Sequence, residues 1–272
     1  VTVTEKSGVS RLDVALAARG LAASRTSAAR AIAQGLVTVD GRPALKPATL
    51  VSDDSDVVVA SVDHYVSRAA HKLVAALDAF AVPVAGRTVL DVGASTGGFT
   101  QVLLERGAHC VIALDVGHDQ LAPIIRNDDR VVVVEGVNAR YLTKESLLAF
   151  TPGGTVPSLV VADLSFIPLG LVLPAIVGAV GPLADIVVLI KPQFEVGRGG
   201  VKEGIVRNAG LREDAVAGVL WTAWDLGFGT AGVISSPIAG TAGNREYLAW
   251  FSTVTGSNPT EWSQQVSALT HP

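Results

Sequence analysis

The stretch Val89-Leu-Asp-Val-Gly-Ala-Ser-Thr-Gly-Gly-Phe-Thr100 constrains the fold of this chain more than any other. Aliphatic residues and Asp91 lead into a glycine-rich turn, and an amphipathic segment with Phe99, Val102 and Leu103 follows. Strand, glycine turn and helix in that order build a ligand crevice at the carboxyl end of the first strand of an open α/β sheet. A dinucleotide version needs Gly-x-Gly-x-x-Gly, whose second glycine lets the backbone approach a pyrophosphate. Ser95 holds that position here, so a side chain stands where the phosphates would come close; Gly93, Gly97 and Gly98 still keep the turn tight. A second acid, Asp115, ends the next apolar run, Val111-Ile-Ala-Leu-Asp115, about where a ribose-binding carboxylate is expected. A nucleoside cofactor without phosphates fits this set, and S-adenosylmethionine is the common one. The alternative is a plain tight turn with a capping Asp, because a lone glycine turn is a weak signal.

A chain of 272 residues is long enough for one large domain and a small one. Apolar residues make up 49% and charged residues 17%, so a sizeable buried core is expected and wholesale disorder is not. The single cysteine, Cys110, lies in an apolar run, which rules out an internal disulfide and fits a reducing, cytoplasmic setting. The first seven residues carry no apolar run, so no secretory leader is expected. Residues 166–184 form a charge-free stretch long enough to span a bilayer. Pro168, Pro174 and Pro182 interrupt it, so buried strands flanking a core-facing helix are the expected reading, with no membrane partner.

The formal net charge of −4 would argue against a nucleic-acid partner if it were evenly spread. It is not. Residues 9–49 carry Arg11, Arg19, Arg25, Arg30, Arg42 and Lys46 against Asp13 and Asp40, net +4 by count, so a basic module accompanies an acidic one. Within that module Ser10 is placed to cap a helix with Leu12, Leu16 and Ala17, closed by Gly20. Ser24 is placed to cap a second, with Ala28, Ala29 and Ile32, stopped by Gly35. Val37–Val39, the turn Asp40-Gly41 and Arg42–Leu45 read as a strand entering a tight turn, and Val57–Ala60 as a later strand. This spacing resembles the S4 RNA-binding module over most of residues 9–61. The resemblance implies binding to structured RNA through arginines, whose planar cationic forks pair with phosphates.

Residues 62–67 are the expected linker, and 68–272 the large domain. The alternation predicts strands at 88–92, 110–115, 131–134, 158–163 and 186–191, with helices at 98–106, 119–126, 143–150 and 169–180. A helix at 209–226, a strand at 230–235 and a last strand at 247–251 complete an α/β, Rossmann-like domain. Asp163 ends one apolar strand and Lys191 another, which places both at the carboxyl edge of a parallel sheet beside Asp91 and the glycine turn. Charges at that position are costly unless paired or used, so the two readings are a structural ion pair and a reactive one.

Taken together, Ser67-Arg-Ala-Ala-His-Lys-Leu73, the glycine turn, Ala162-Asp-Leu-Ser-Phe166, Lys191-Pro-Gln-Phe-Glu-Val-Gly197 and Gly243-Asn-Arg-Glu-Tyr247 resemble the TlyA-type proteins. These are often labelled haemolysins and are ribose 2′-O-methyltransferases of ribosomal RNA. The resemblance covers nearly the whole chain in order; one departure is Ala70, where a glycine is expected. It implies a class I methyltransferase fold, a cytidine ribose as substrate, and a Lys-Asp-Lys-Glu set that falls on Lys72, Asp163, Lys191 and Glu246. A ribose hydroxyl is a poor nucleophile until its proton is withdrawn, and a free lysine titrates near about 10.4. In this reading Lys191 is the base or holds the alkoxide, and Lys72 supplies like-charge pressure. Asp163 orients Lys191, and Glu246 holds Lys72 or the ribose. Gly93 and Gly97 would admit the methionine portion of the cofactor, Asp115 its ribose, and Phe166 its adenine, with Asp91 orienting the loop and Asn138 a further adenine-edge candidate. Arg68 joins the RNA-facing cations, and no metal is assigned. Alternatives are a base-modifying enzyme, for which neither an Asn-Pro-Pro-Tyr string nor a catalytic cysteine is present, a non-enzymatic assembly factor, and a pore-forming haemolysin.

Overall fold

The computed structural model describes residues 8–22, 24–33, 35–59, 64–240 and 242–271. Residues 1–7, on which the expectation about a leader rested, the end of the expected strand at Ala60 and linker positions Val62 and Asp63 lie outside the described residues. The chain divides into two units with the boundary between His64 and Tyr65.

The larger unit is dictated by uninterrupted β-branched and aliphatic runs, which are stable as strands only when both faces are covered. Seven strands form one sheet: β6 (Thr88–Val92), β7 (Cys110–Leu114), β8 (Val131–Val134), β9 (Leu159–Ala162), β10 (Asp185–Ile190), β11 (Gly229–Ser235) and β12 (Tyr247–Ser252). Their spatial order is β11-β12-β10-β9-β6-β7-β8. From β10 to β8 all neighbours are parallel; β12 is antiparallel to both β10 and β11. Alternate residues feed opposite faces. Leu90, Val92, Ile112, Val160 and Val188 pack on one side with α7 (Leu173–Val180) and α9 (Ala209–Asp225). Val89, Val111, Leu159, Val161 and Leu189 pack on the other with α3 (Ala70–Phe80) and α4 (Gly98–Glu105). The chain order reverses at β6 and β9, which creates a crevice outside their carboxyl ends.

Three helices differ from the sequence reading. The segment expected as a helix at 119–126 is helical only as α5 (Pro123–Arg126), because Ala122 precedes a proline and is extended, with ψ 138°. The 169–180 segment is a 3₁₀ turn, Leu169–Leu171, followed by α7, whose second residue is Pro174. The short helix α8 (Pro192–Glu195) directly after Lys191 was not anticipated. Thr143 caps α6 (Lys144–Phe150) with a capping box to Ser146, and α10 (Ser263–Thr270) closes the chain.

The smaller unit has β1 (Val9–Arg11), α1 (Leu12–Ala18), α2 (Arg25–Ala33), β2 (Val37–Val39), β3 (Arg42–Pro43), β4 (Leu50–Ser52) and β5 (Val57–Val59). Its own core is built from Leu12, Leu16, Ala28, Ile32, Val37, Val51 and Val57. Ser24 does cap α2, accepting from the Ser27 N–H at 3.1 Å. Ser10 does not cap α1: it is paired with Val51 inside β1, and the cap position is Arg11. Asp40 (φ 48°) and Gly41 (φ 75°) both take the left-handed conformation that a two-residue β-hairpin turn requires.

Arg19 corrects an expectation. Its guanidinium donates to the carbonyls of Ser52 (2.7 Å), Ser55 (2.8 Å) and Asp53 (3.2 Å), so it ties α1 to the turn between β4 and β5 instead of facing outward to RNA. Arg19→Ala should lower the stability of this unit by about 1–3 kcal/mol, because three carbonyls lose a charged donor. The measurement is hydrogen exchange, in which β4 and β5 amides should lose protection while β6 and β9 amides keep theirs.

Candidate active site

Gly93, Asp115, Asp163 and Lys191 each stand one residue past the end of a parallel strand, and therefore at one edge of the sheet. Glu246 reaches the same edge by the opposite route. It immediately precedes β12, which runs backwards, and the register Ile190↔Tyr247 puts the start of β12 beside the end of β10. Lys72 comes from the first turn of α3 and is buried, not solvated.

Two ion pairs result. Lys72 Nζ donates to Glu246 Oε2 at 2.5 Å, with both side chains buried. Lys191 Nζ lies 2.7 Å from Asp163 Oδ1, but off the hydrogen-bonding direction of that oxygen; its aligned partner is Ser165 Oγ at 2.8 Å. The Phe194 ring flanks the same ammonium, 6.0 Å from its centroid. All four residues line one cavity of about 250 Å³, together with Arg68, which is exposed. Ser165 was not singled out in the sequence. The available signal was its place two residues after Asp163, just past the end of β9.

A larger cleft of about 500 Å³ is lined by Gly93, Ser95, Asp115, Val116, Asn138, Asp163, Ser165 and Phe166, among others. A third cavity of about 140 Å³ connects the two, with Ser67, Gly93, Gly98, Ser165 and Lys191 in its wall. Asp163 lines all three. Asp115 accepts from the Ser95 N–H (2.8 Å, Oδ2) and the Gly117 N–H (2.7 Å, Oδ1), leaving lone pairs for further donors. The Ser95 amide, at φ 47°, is thus already committed to a carboxylate, which disfavours an incoming phosphate there. Gly93 (φ 84°) has the least freedom: a Cβ would stand 2.7 Å from the Asp163 carbonyl oxygen.

Three expectations about this turn are corrected. Gly97 lines none of these cavities; a Cβ there would meet Leu121 at 2.9 Å and Ile125 at 3.1 Å, so its bareness serves packing against α5. Gly98 edges only the connecting cavity, and a Cβ would stand 3.0 Å from Ser67 and 3.2 Å from the Ala70 N, so it lets α4 approach α3. Asp91 is fully buried and lines none of these cavities, so it is no cofactor contact; it accepts from Thr100 Oγ1 at 2.6 Å across the turn, with its other oxygen unpartnered among the described residues. Phe166 is 90% exposed at the rim of the large cleft, packed against Phe194 with ring centroids 5.2 Å apart. Asn138 lines the cleft and also caps the 3₁₀ turn Ala139–Tyr141.

In the small unit, Arg11 (3.0 Å) and Arg25 (3.3 Å) converge on the buried Asp13, and the Arg11 guanidinium leads in holding that carboxyl below the usual carboxylate range. Arg30, Arg42 and Lys46 are exposed.

A model of the FtsJ-like methyltransferase family matches residues 65–253. The chain belongs to the FtsJ-like methyltransferases. An S4 domain model matches residues 10–58 ahead of that region. This FtsJ-like chain is 55% identical to the 16S/23S rRNA (cytidine-2′-O)-methyltransferase TlyA of Mycobacterium tuberculosis, over 90% of each protein. It is 42% identical to Hemolysin A of Brachyspira hyodysenteriae, over 89% of this chain and 99% of that one. A solved hemolysin structure from Streptococcus thermophilus superposes with a TM-score of 0.73 at 37% identity, covering 98% of this chain and 97% of that one. Among the described residues no helix is long and apolar enough to cross a membrane.

Burial pushes the Asp91 carboxyl up to about 7, helped by Asp163 and Asp115 and opposed by the Thr100 hydrogen bond. Its folded value thus lies above its unfolded one, so the stability it contributes is full below about 3.8 and is lost as pH rises to about 7. Burial raises Glu195 to about 7 as well, so the two slopes overlap. Asp91→Asn should therefore flatten, without abolishing, the fall in stability between pH 4 and 7, by an amount on the order of a few kcal/mol, and the fall in Tm with it. A thermal melt series across that range checks it; an unchanged slope would contradict the assignment.

Proposed function

We propose that this chain transfers a methyl group from S-adenosylmethionine to a ribose 2′-hydroxyl of ribosomal RNA, with cytidine as the target nucleotide. One observation carries the reading: Asp163 lines both the nucleoside-sized cleft and the cavity that gathers Lys72, Lys191 and Glu246. A methyl donor in the first and a hydroxyl in the second would meet at that residue. The name of the Mycobacterium tuberculosis relative points to the same substrate.

The cleft suits the cofactor. At about 500 Å³ it is within the range of small-molecule sites. Gly93 offers no side chain to obstruct it, Asp115 presents a carboxylate to ribose hydroxyls, and Ser95 and Phe166 border it. Bound there, S-adenosylmethionine supplies an electrophilic methyl on a sulfonium. The remaining chemistry falls to the chain. Lys191 acts as the neutral amine: once its own proton has passed to solvent, it takes the proton of the 2′-hydroxyl as the new bond forms, and Asp163, 2.7 Å away, stabilises the resulting ammonium. Lys72, fixed by Glu246, turns a second cation toward the oxygen and favours its anionic character. The rest of the barrier is lowered by holding the hydroxyl in line with the methyl.

RNA affinity comes from the basic module, and Arg30, Arg42 and Lys46 are exposed cations of it that are not paired with Asp13. Replacing each with Ala should weaken binding to all RNA sequences alike and reduce the salt slope by roughly 0.7–0.9 per residue. Filter binding between low and moderate salt measures this.

The decisive assay offers labelled S-adenosylmethionine to purified small and large ribosomal subunits. Label should enter RNA and make one ribose resistant to alkaline cleavage. Lys191→Ala should cut the rate by roughly 10²–10⁴ while cofactor binding persists. A near-normal rate in that variant would remove Lys191 from the mechanism. No label on either subunit, with cofactor bound, would favour a non-enzymatic assembly factor.

A further inference from the structure

The nitrogen of Lys191 has three directions besides its bond to Cε, two N–H bonds and a lone pair in the neutral amine, and the way they are occupied decides which one is left for chemistry. One is aligned with Ser165 Oγ at 2.8 Å, and Asp163 Oδ1 sits 2.7 Å away without good alignment. Ser165 is therefore the group that sets the rotation of the amine, and Asp163 acts mainly as its counter-charge. We infer that Ser165 is a positioning residue for methyl transfer: its hydroxyl pins one N–H of Lys191 so that the remaining direction of the nitrogen faces the cavity shared with Lys72 and Glu246. The inference rests on the reading of Lys191 as the group that receives the ribose proton.

The backbone supports this placement. Asp163 and Ser165 are two residues apart and both reach Lys191, and Leu164 between them packs against the core. The next residue, Phe166, takes φ 66°, a left-handed conformation that a bulky L-residue rarely adopts and that bends the chain at once. Its ring packs on Phe194 from the segment that follows Lys191, so the strand-end loops carrying Ser165 and Lys191 are fastened to each other. Accepting from Lys191 leaves the Ser165 proton free to donate, so the hydroxyl needs no further acceptor from the protein to remain in place. Ser165 also borders the cofactor cleft, and the rival role is that of a plain cofactor contact.

Steady-state kinetics with purified ribosomal subunits tests the inference on full-length Ser165→Ala, Ser165→Thr and Lys191→Ala, with cofactor binding measured separately by calorimetry. Ser165 is exposed, so both of its variants should fold, and an unchanged Tm verifies it. Ser165→Ala should lower kcat roughly five- to ten-fold with KM for RNA and Kd for S-adenosylmethionine within about two-fold of wild type. Ser165→Thr, which keeps the acceptor, should recover most of that loss. A kcat within two-fold of wild type for Ser165→Ala, or a loss confined to cofactor affinity, overturns the positioning role while leaving Lys191 intact. A Lys191→Ala enzyme that keeps its rate overturns the parent reading and this inference together, and so marks a different failure.

Discussion

The closeness of Gly93 to the Asp163 carbonyl governs the rest of the site. The Asp163 N–H donates to the Val92 carbonyl at 3.1 Å, which extends the β6–β9 ladder one step past the strands. At that step a Cβ on residue 93 would collide with the Asp163 backbone. Glycine therefore does two things in one place. It lets the sheet continue to its edge, and it leaves the space above that edge open. The large cleft and the charged cavity are consequently neighbours by backbone geometry, before any side chain is considered.

The charges at this edge are expensive groups placed at the end of a hydrophobic sheet. Buried ions are tolerated when paired, and breaking one member of such a pair is strongly destabilising. Each lysine here has its own carboxylate, Lys72 with Glu246 and Lys191 with Asp163. Each pair also joins elements far apart in sequence. Two functions are thus superposed, closure of the sheet edge and presentation of two cations to one cavity. The two readings left open by the sequence, structural pair and reactive pair, do not exclude each other.

The small unit shows how a charge count differs from a binding surface. Six cations and two acids gave the module its net sign, yet Arg19 is spent on backbone carbonyls, and Arg11 and Arg25 share the buried Asp13. Such internal uses are invisible in composition, because a guanidinium can satisfy a carbonyl, a carboxylate or a phosphate with the same donors. Arg30, Arg42 and Lys46 are exposed without sharing the Asp13 carboxylate, whereas Arg11 and Arg25 are exposed but already paired with it.

By itself the sequence determined the layered α/β architecture, since apolar runs of strand length alternating with amphipathic segments have few other ways to bury both faces. It also determined that Asp115, Asp163 and Lys191 stand at one sheet edge, because each ends a parallel strand. Tertiary structure alone decided the rest. The insertion of β12 in reverse between β10 and β11 brings Glu246 to Lys72 across 174 positions of sequence, and no local pattern encodes strand order. The roles of Asp91, Gly97 and Gly98 were misjudged for a related reason: a motif states which residues are near a turn, not which way they point. Here Asp91 turns inward to Thr100, and the two glycines make room for α5 and α3. Ser165 became visible only when packing brought Lys191 within hydrogen-bonding distance. Local sequence fixes strand ends through the alternation and length of apolar runs, whereas side-chain direction and partner follow from the three-dimensional contest for buried space.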